Sequence, residues 1–115
     1  MTMAKSAEEL VQERLGTKTR TNDVPVTTSV GTASVVVLRQ DPTRLAAVFV
    51  NLSANNIFIK PGGAAATSSG IRLNSNGGSA IFVVEDTFTL AGSEWNAIAS
   101  GASSDIYILE VISIS

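Results

Sequence analysis

Short runs of apolar residues separated by polar turns fill the chain from residue 24 onward, and this pattern predicts strands. The most apolar run, residues 45–52 (LAAVFVNL), is typical of a strand covered on both faces, and residues 57–60 (IFIK) alternate behind it. Between them lies SANN at residues 53–56, where Asn accepts positive φ and bonds its own backbone. The sequence therefore predicts that these two strands form a hairpin at the centre of the fold.

Further strand patterns follow at similar spacing. A first strand is predicted to start at Val24, and Asp41-Pro42 and NSNGG at residues 74–78 are strong turn signals. About eight short strands, one roughly every 8 to 12 residues, are typical of an antiparallel sandwich or barrel. The remaining predicted strands are residues 34–40, 71–73, 79–84, 87–90, 94–100 and 105–113.

The last predicted strand, residues 105–113 (DIYILEVIS), carries apolar residues on both of its faces. A strand that is half exposed should instead alternate apolar and polar positions. We therefore predict that this strand is central in its sheet, or that a neighbouring molecule buries its outer face.

The first 23 residues differ from the rest because they hold eight of the eighteen charged residues. Ser6 followed by Glu9 is a capping-box pattern and Gly16 is a typical stop, so a helix is predicted over residues 7–15. Residues 17–23 (TKTRTND) are polar and without period, which is typical of a linker. The predicted division is a helical arm and linker at residues 1–23 and a β-sandwich domain at residues 24–115.

Leu10, Val11 and Leu15 fall on one face of the predicted helix. Helices below about 12 to 15 residues rarely persist alone in water, so this face must dock somewhere. Three placements are open at this point: a lid over one end of the sandwich, a segment that orders on a partner subunit or larger assembly, and a free tail.

Composition favours a sandwich and excludes several kinds of chemistry. Hydrophobic residues make up 44% of the chain and aromatic ones only 5%, so Val, Ile, Leu and Ala must fill the core, as in two thin facing sheets. The net charge of −2 gives no basic surface for nucleic acid. There is no Cys and no His, which removes disulfides, thiolate metal sites and the commonest general base. Lacking a signal sequence or membrane-spanning run, the chain is expected to be a soluble protein made in the cytosol.

The remaining candidate sites do not predict catalysis. Glu85 and Asp86 are adjacent, so in a strand they would point to opposite faces and could not act together on one substrate. The glycine-rich loop at residues 61–70 has neither the Lys nor the following helix of a phosphate-binding loop, and residues 74–78 lack the carboxylates of a calcium loop. We therefore predict no catalytic, cofactor-binding or metal residues, and no enzyme.

Only ten charged residues occur among residues 24–115, whose polar positions are mostly Ser, Thr, Asn and Gly. Either much of that surface is covered in an assembly, or it is simply rich in Ser and Thr. Trp95 is interpreted as a core or rim anchor rather than a platform for sugars, because no second aromatic residue lies near it in sequence. The candidate assembly contacts are Leu10, Val11, Leu15, Trp95 and Tyr107.

Several segments together resemble small bacteriophage virion proteins. The segments are VTTSVG at residues 26–31, DPTRLAAVFVNLSANNIFIKPG at 41–62, GIRLNSNGG at 70–78 and the closing DIYILEVIS. They share an Arg before a strand that ends in Asn-Leu-Ser, then a short strand and a glycine-rich turn. The resemblance spans residues 26–113 and implies a β-sandwich or jelly-roll-like module that decorates capsids or forms part of tails and fibres. It brings no catalytic residue with it, and the charged N-terminal helix departs from the simple module.

The resemblance implies a structural virion protein, with a head decoration or auxiliary capsid protein as the leading expectation. Its partners would be the major capsid protein or other virion proteins and further copies of itself, with a trimer favoured, and the N-terminal arm would help to hold it on the shell. A tail, neck or fibre component is the alternative within virions. A carbohydrate-binding module is the alternative from another class, and it would need exposed aromatic residues beyond Trp95 and Tyr107.

Overall fold

The apolar runs of the sequence form the strands of a β-sandwich, as predicted. The computed structural model describes residues 6–24, 29–84 and 88–114. Within these residues there are eight strands, one α-helix and one short 3₁₀ helix. The helix α1 is Ala7–Leu15, the 3₁₀ helix is Phe88–Gly92, and the strands are β1 Thr19–Val24, β2 Val35–Leu38, β3 Arg44–Asn51, β4 Ile57–Pro61, β5 Ile71–Leu73, β6 Ser79–Val83, β7 Trp95–Ala99 and β8 Ile106–Ser113.

Strand pairing follows a mirror rule along the chain. The first strand pairs with the last, and moving inward β2 pairs with β7, β3 with β6 and β4 with β5, all antiparallel. Two further pairings, β3 with β8 and β4 with β7, join these pairs into a first sheet of order β1-β8-β3-β6 and a second sheet of order β2-β7-β4-β5. A long hairpin rolled up in this way is the jelly-roll arrangement, in agreement with the predicted fold class.

The predicted central hairpin is wrong, although its strands and its turn are correctly placed. β3 belongs to the first sheet and β4 to the second, so residues 52–56 carry the chain across the sandwich and do not join paired neighbours. A polar turn looks the same in sequence whether it closes a hairpin or crosses between layers. The prediction for the last strand is confirmed, because β8 lies between β1 and β3.

Two other segments differ from expectation. Residues 19–23, predicted to be linker, belong to β1, which pairs along its length with β8 from Thr19 opposite Ser113 to Val24 opposite Ile108. An edge strand can be polar because its partner supplies the apolar surface. Residues 88–90, predicted to be a strand, lie in the 3₁₀ helix. The strand predicted to start at Val24 would include residues 25–28, which lie outside the described part of the chain.

Aromatic packing occupies the centre of the core. Trp95 on β7 is fully buried, and its ring lies 5.1 Å from that of Phe49 and 4.5 Å from that of Phe82, centroid to centroid. Its indole Nε1 donates a hydrogen bond to the carbonyl oxygen of Leu90 at 3.1 Å. Trp95 thus joins the two sheets from within, and aliphatic side chains fill the space around the three rings, among them Val30, Leu38, Ile57, Ile59, Leu73 and Ile108.

The N-terminal helix begins and ends as its sequence predicts. The backbone N–H of Glu9 donates to the Ser6 hydroxyl at 3.2 Å, and Gly16, in the left-handed region with φ 71°, donates to the carbonyl of Gln12 at 2.8 Å. All of the described side chains of the helix are exposed, including Leu10 at 53%. The three placements of the helix named above therefore stay predictions, because the side chains of Val11 and Leu15 lie outside the described part of the chain.

Candidate assembly surfaces

The first sheet presents a continuous apolar surface to solvent, on the side away from the core. Phe49 of β3 and Ile108 of β8 are paired and point inward with no exposed surface, so their neighbours along each strand point outward. Those neighbours are apolar as well, because both strands lack the polar positions that an exposed face usually carries. We call this surface the outer apolar face and define it as Ala46, Val48, Val50, Ile81, Tyr107, Leu109 and Val111.

Strand register places these side chains next to one another. Val48 lies opposite Ile81 of β6 on one side and opposite Leu109 of β8 on the other, so three apolar side chains form a row across the sheet. Val50 lies opposite Tyr107 in the next row. Ile81 is 63% exposed and Tyr107 39%, while the other members are partly covered by their neighbours. A contiguous apolar patch of this kind marks an interaction surface more often than chance exposure does.

The rim of the outer apolar face is polar along β1. Asp23 lies opposite Leu109 in the register, and its carboxylate accepts a hydrogen bond of 2.5 Å from the Tyr107 hydroxyl. This hydrogen bond, which the neutral phenol donates, raises the pKa of Tyr107 above its ordinary value of 10.0. The contact fixes the tyrosine ring over the sheet and closes one side of the patch with a charge.

The second sheet presents a different outer face. Phe58 of β4 lies between Arg72 of β5 and Ile98 of β7, and Lys60 lies opposite Asn96. Val36 of β2 is the one strongly exposed apolar residue there, at 50%. Mixed charged, polar and apolar positions are what an ordinary solvated sheet face carries. The two faces of the sandwich are therefore chemically unlike.

A buried arginine organises one end of the sandwich. Arg44, at the start of β3, is 4% exposed; its Nε lies 3.4 Å from the carboxylate of Glu110, and its Nη2 donates to the carbonyl of Arg39 at 2.7 Å. Its Nη1 donates to the carbonyls of Ala91 and Ser93, at 3.4 and 3.2 Å. The guanidinium thus bonds carbonyls of two chain segments and the carboxylate of a third. It is a structural hub, which we call the Arg44 end, and each of its nitrogens already has a protein acceptor.

Two open cavities adjoin the Arg44 end. One of about 360 Å³ is lined by residues that include Arg44 itself, and a second of about 340 Å³ shares Gln40 and Ser93 with it. Glu94, which lines the second cavity, contacts the side chain of Asn96. The two cavities are open to solvent, so water can reach the groups around Arg44.

A buried asparagine organises the opposite end of β3, which we call the Asn51 end. The Asn51 amide nitrogen donates to the carbonyls of Asn55, Leu73 and Asn74 at 2.7, 3.0 and 3.2 Å. Its side-chain oxygen accepts from the backbone N–H and the hydroxyl of Ser53 at 2.9 and 2.7 Å. Five hydrogen bonds on one fully buried side chain hold the crossing between the sheets. Arg44 and the Asn-Leu-Ser segment, which carry the resemblance in sequence, thus have architectural roles here.

The candidate contact residues have different outcomes. Leu10 and Tyr107 are exposed, so both are available to a partner. Trp95 was a wrong candidate, because it has no exposed surface and supports the core from within. The side chains of Val11 and Leu15 lie outside the described part of the chain. Sequence reasoning missed most of the outer apolar face. The available signal was that β3 and β8 carry apolar residues on both of their faces.

Among the described residues, no group of three or more His, Cys, Asp or Glu side chains is arranged to hold a metal ion. Glu85 and Asp86, considered above as a carboxylate pair, lie outside the described residues. None of the described helices is long and apolar enough to cross a membrane. The chain matches no protein-family model, no curated protein and no solved structure. Its function must therefore be argued from its own surfaces.

Proposed function

We propose that this chain is a structural virion protein of a bacteriophage, a capsid decoration or auxiliary head protein that acts by binding other subunits. The observation that carries the proposal is the outer apolar face, centred on Val48, Ile81 and Leu109, which the chain leaves uncovered. Burial of apolar surface contributes about 25 cal/mol per Å², and only the surplus over the cost of association appears as affinity. A protein that works inside an assembly has a use for such a face.

Three further features support an assembly role. The jelly-roll order of the strands is the architecture of many viral capsid domains. The described side chains of helix α1 are exposed. The molecule is 56 Å long and only 25 by 23 Å across, and the helix adds to its length. The side chains of Arg44 and Asn51 both bond to protein groups, which gives these buried polar residues an architectural role. In this proposal the partners are the major capsid protein, other virion proteins and further copies of the chain, with a trimer favoured.

The alternatives use the same surfaces differently. A tail, neck or fibre component would also bury the outer apolar face, and only its place in the particle separates it from a head protein. A carbohydrate-binding module would need an exposed aromatic platform. Of the described aromatic side chains, Trp95 is buried and only Tyr107 belongs to the exposed class, with its hydroxyl bonded to Asp23. The structure offers this alternative less support.

Immunogold labelling of phage particles tests the proposal. Antibodies raised against the purified chain are applied to particles banded from an induced culture of the strain that carries the gene, and we expect label distributed over the heads. Particles from the same strain with the gene deleted are the matched control and should be unlabelled. Label confined to tails would favour the alternative within virions, and particles free of the protein would refute a virion role.

A further inference from the structure

The chain has two exposed surfaces that each require a partner. One is the outer apolar face, and the other is helix α1, none of whose described side chains is buried. A nine-residue helix is too short to persist in water without packing. Its sequence supplies only a narrow apolar stripe, from Leu10, Val11 and Leu15, which suits a flat apolar surface.

The helix does not reach the face of its own chain. The residues that follow it are held at the far end of β8, where the hydroxyls of Thr17 and Ser113 lie 2.6 Å apart and the Ile114 N–H donates to the Lys18 carbonyl at 3.0 Å. The eight residues of β8 span about 26 Å, less than half of the 56 Å length of the molecule. The helix therefore extends past the end of the sheet.

The dimensions of the two surfaces match. Three strands about 4.8 Å apart and five residues at about 3.3 Å each give the outer apolar face a footprint of roughly 14 by 17 Å. A nine-residue helix is about 14 Å long and about 10 Å wide with its side chains, so one helix lies within that footprint.

The area of the face also favours an added helix over packing of two faces alone. The footprint is roughly 240 Å² at these spacings, and even doubled to allow for side-chain relief it falls below the ~800 Å² that each partner buries in a stable interface. Exchange of helices adds a second buried surface to each chain. Because both surfaces occur on every copy, their numbers are equal in any closed oligomer.

We infer that the outer apolar face receives helix α1 of a second copy of this chain. The inference rests on the proposed structural role and names the first partner within it. The helix packs its apolar stripe on Val48, Ile81 and Leu109, and its charged residues remain in solvent. The outer face of the second sheet is a poor site for the helix, because Arg72 and Lys60 interrupt its apolar positions.

Disulfide trapping between two variants tests the contact directly, since the natural chain has no cysteine. Leu10→Cys chains are mixed with Ile81→Cys chains, oxidised with copper phenanthroline and run on a non-reducing gel. We expect a cross-linked dimer in this mixture. Val36→Cys is the matched control, because Val36 is 50% exposed on the other sheet, and it should give at least tenfold less product with Leu10→Cys.

Two results of the trapping experiment would overturn the inference. Equal yields from the Ile81→Cys and Val36→Cys mixtures would show random collision. Strong cross-linking of Ile81→Cys with itself would show that two faces pack together without the helix.

Solution mass gives a second and independent test. By light scattering, the natural chain and Val36→Lys are expected to be closed oligomers, whereas Ile81→Lys and Leu10→Asp are expected to be monomers that melt cooperatively. A monomeric natural chain, or an oligomer that survives both changes, contradicts the inference. These measurements use the purified chain alone, so their failure leaves the particle-labelling result, and with it the virion role, to be decided separately.

Discussion

Each end of β3 has one buried polar side chain that bonds the surrounding carbonyls, charged at one end and neutral at the other. At the Arg44 end a charged side chain gathers carbonyls beside two open cavities, and at the Asn51 end a neutral amide makes five hydrogen bonds with no exposed surface. Open cavities let water replace lost contacts at the first end, whereas the Asn51 side chain at the second end is itself fully buried. The comparison teaches that similar burial does not mean similar energetic weight, because the weight depends on what remains after a side chain is removed.

The largest expected effect is at the Asn51 end. Asn51→Ala removes five hydrogen bonds and leaves three carbonyls, of Asn55, Leu73 and Asn74, without this partner. At about 0.5–1.5 kcal/mol per bond, we expect a loss of about 4 kcal/mol in the free energy of unfolding, measured by urea titration. A loss below about 1 kcal/mol would show that the crossing is held by other contacts.

The room for an added side chain near the backbone is also smaller at the Asn51 end than at the Arg44 end. A Cβ at Gly78, beside Asn51, would lie 2.3 Å from the Asn74 nitrogen, whereas one at Gly92, near Arg44, would lie 2.8 Å from the Asp41 carbonyl oxygen. We expect Gly78→Ala to cost about 3 kcal/mol and Gly92→Ala about 1 kcal/mol, since overpacking against backbone forces it to move. Gly63→Ala is the matched control, because its Cβ would meet nothing within 4 Å. Equal melting temperatures for all three variants would contradict this ranking.

Arg44→Met should cost less than Asn51→Ala, about 2 kcal/mol by the same urea titration. The change leaves the Glu110 carboxylate without its ion pair, but the adjoining cavity of about 360 Å³ lets water reach the orphaned groups. The double variant Arg44→Met with Glu110→Gln should recover part of the loss because it removes the unpaired charge. A cost larger than that of Asn51→Ala would show that the Arg44 end is closed to water.

The smallest effect concerns acid stability at the Arg44 end. Asp41 accepts hydrogen bonds from the hydroxyl and the N–H of Thr43, and these lower its pKa below the ordinary 3.8. Because the folded pKa lies below the unfolded one, the contribution is present above about pH 4 and is lost as pH falls through the folded pKa. The site is exposed, so we expect Asp41→Asn to change stability at pH 7 by less than ~1 kcal/mol and to flatten its dependence on pH below 4. An unchanged slope in that range would refute the assignment.

Local signals account for much of what the sequence predicted. Ser6, Glu9 and Gly16 place the helix because capping depends on neighbours in the chain, and the apolar runs place most strands for the same reason. Pairing is not local, and this is why the sequence predicts a hairpin at SANN although this segment crosses between the sheets. The polar residues 19–23 form β1 only because β8, nearly ninety positions later, provides the partner.

The candidate surface was predicted less well than the fold. The sequence identifies Tyr107, and the interpretation of Trp95 as a core anchor is confirmed, but its place among the assembly contacts is wrong because Phe49 and Phe82 from other strands bury it. The outer apolar face emerges only when β6, β3 and β8 are placed side by side. The register between distant strands is set by tertiary structure. The sequence pattern alone therefore does not show which side chains of β6, β3 and β8 lie next to one another.

The pairing of early strands with late ones also determines when the outer apolar face forms during synthesis. Thr19 must wait for Ser113 before the first sheet can close, and such distant pairing makes folding slow. Three members of the outer apolar face, Tyr107, Leu109 and Val111, belong to that last strand. A nascent chain therefore lacks the complete surface until β8 has emerged from the ribosome. The self-association proposed above would therefore need chains in which β8 has already paired with β1 and β3.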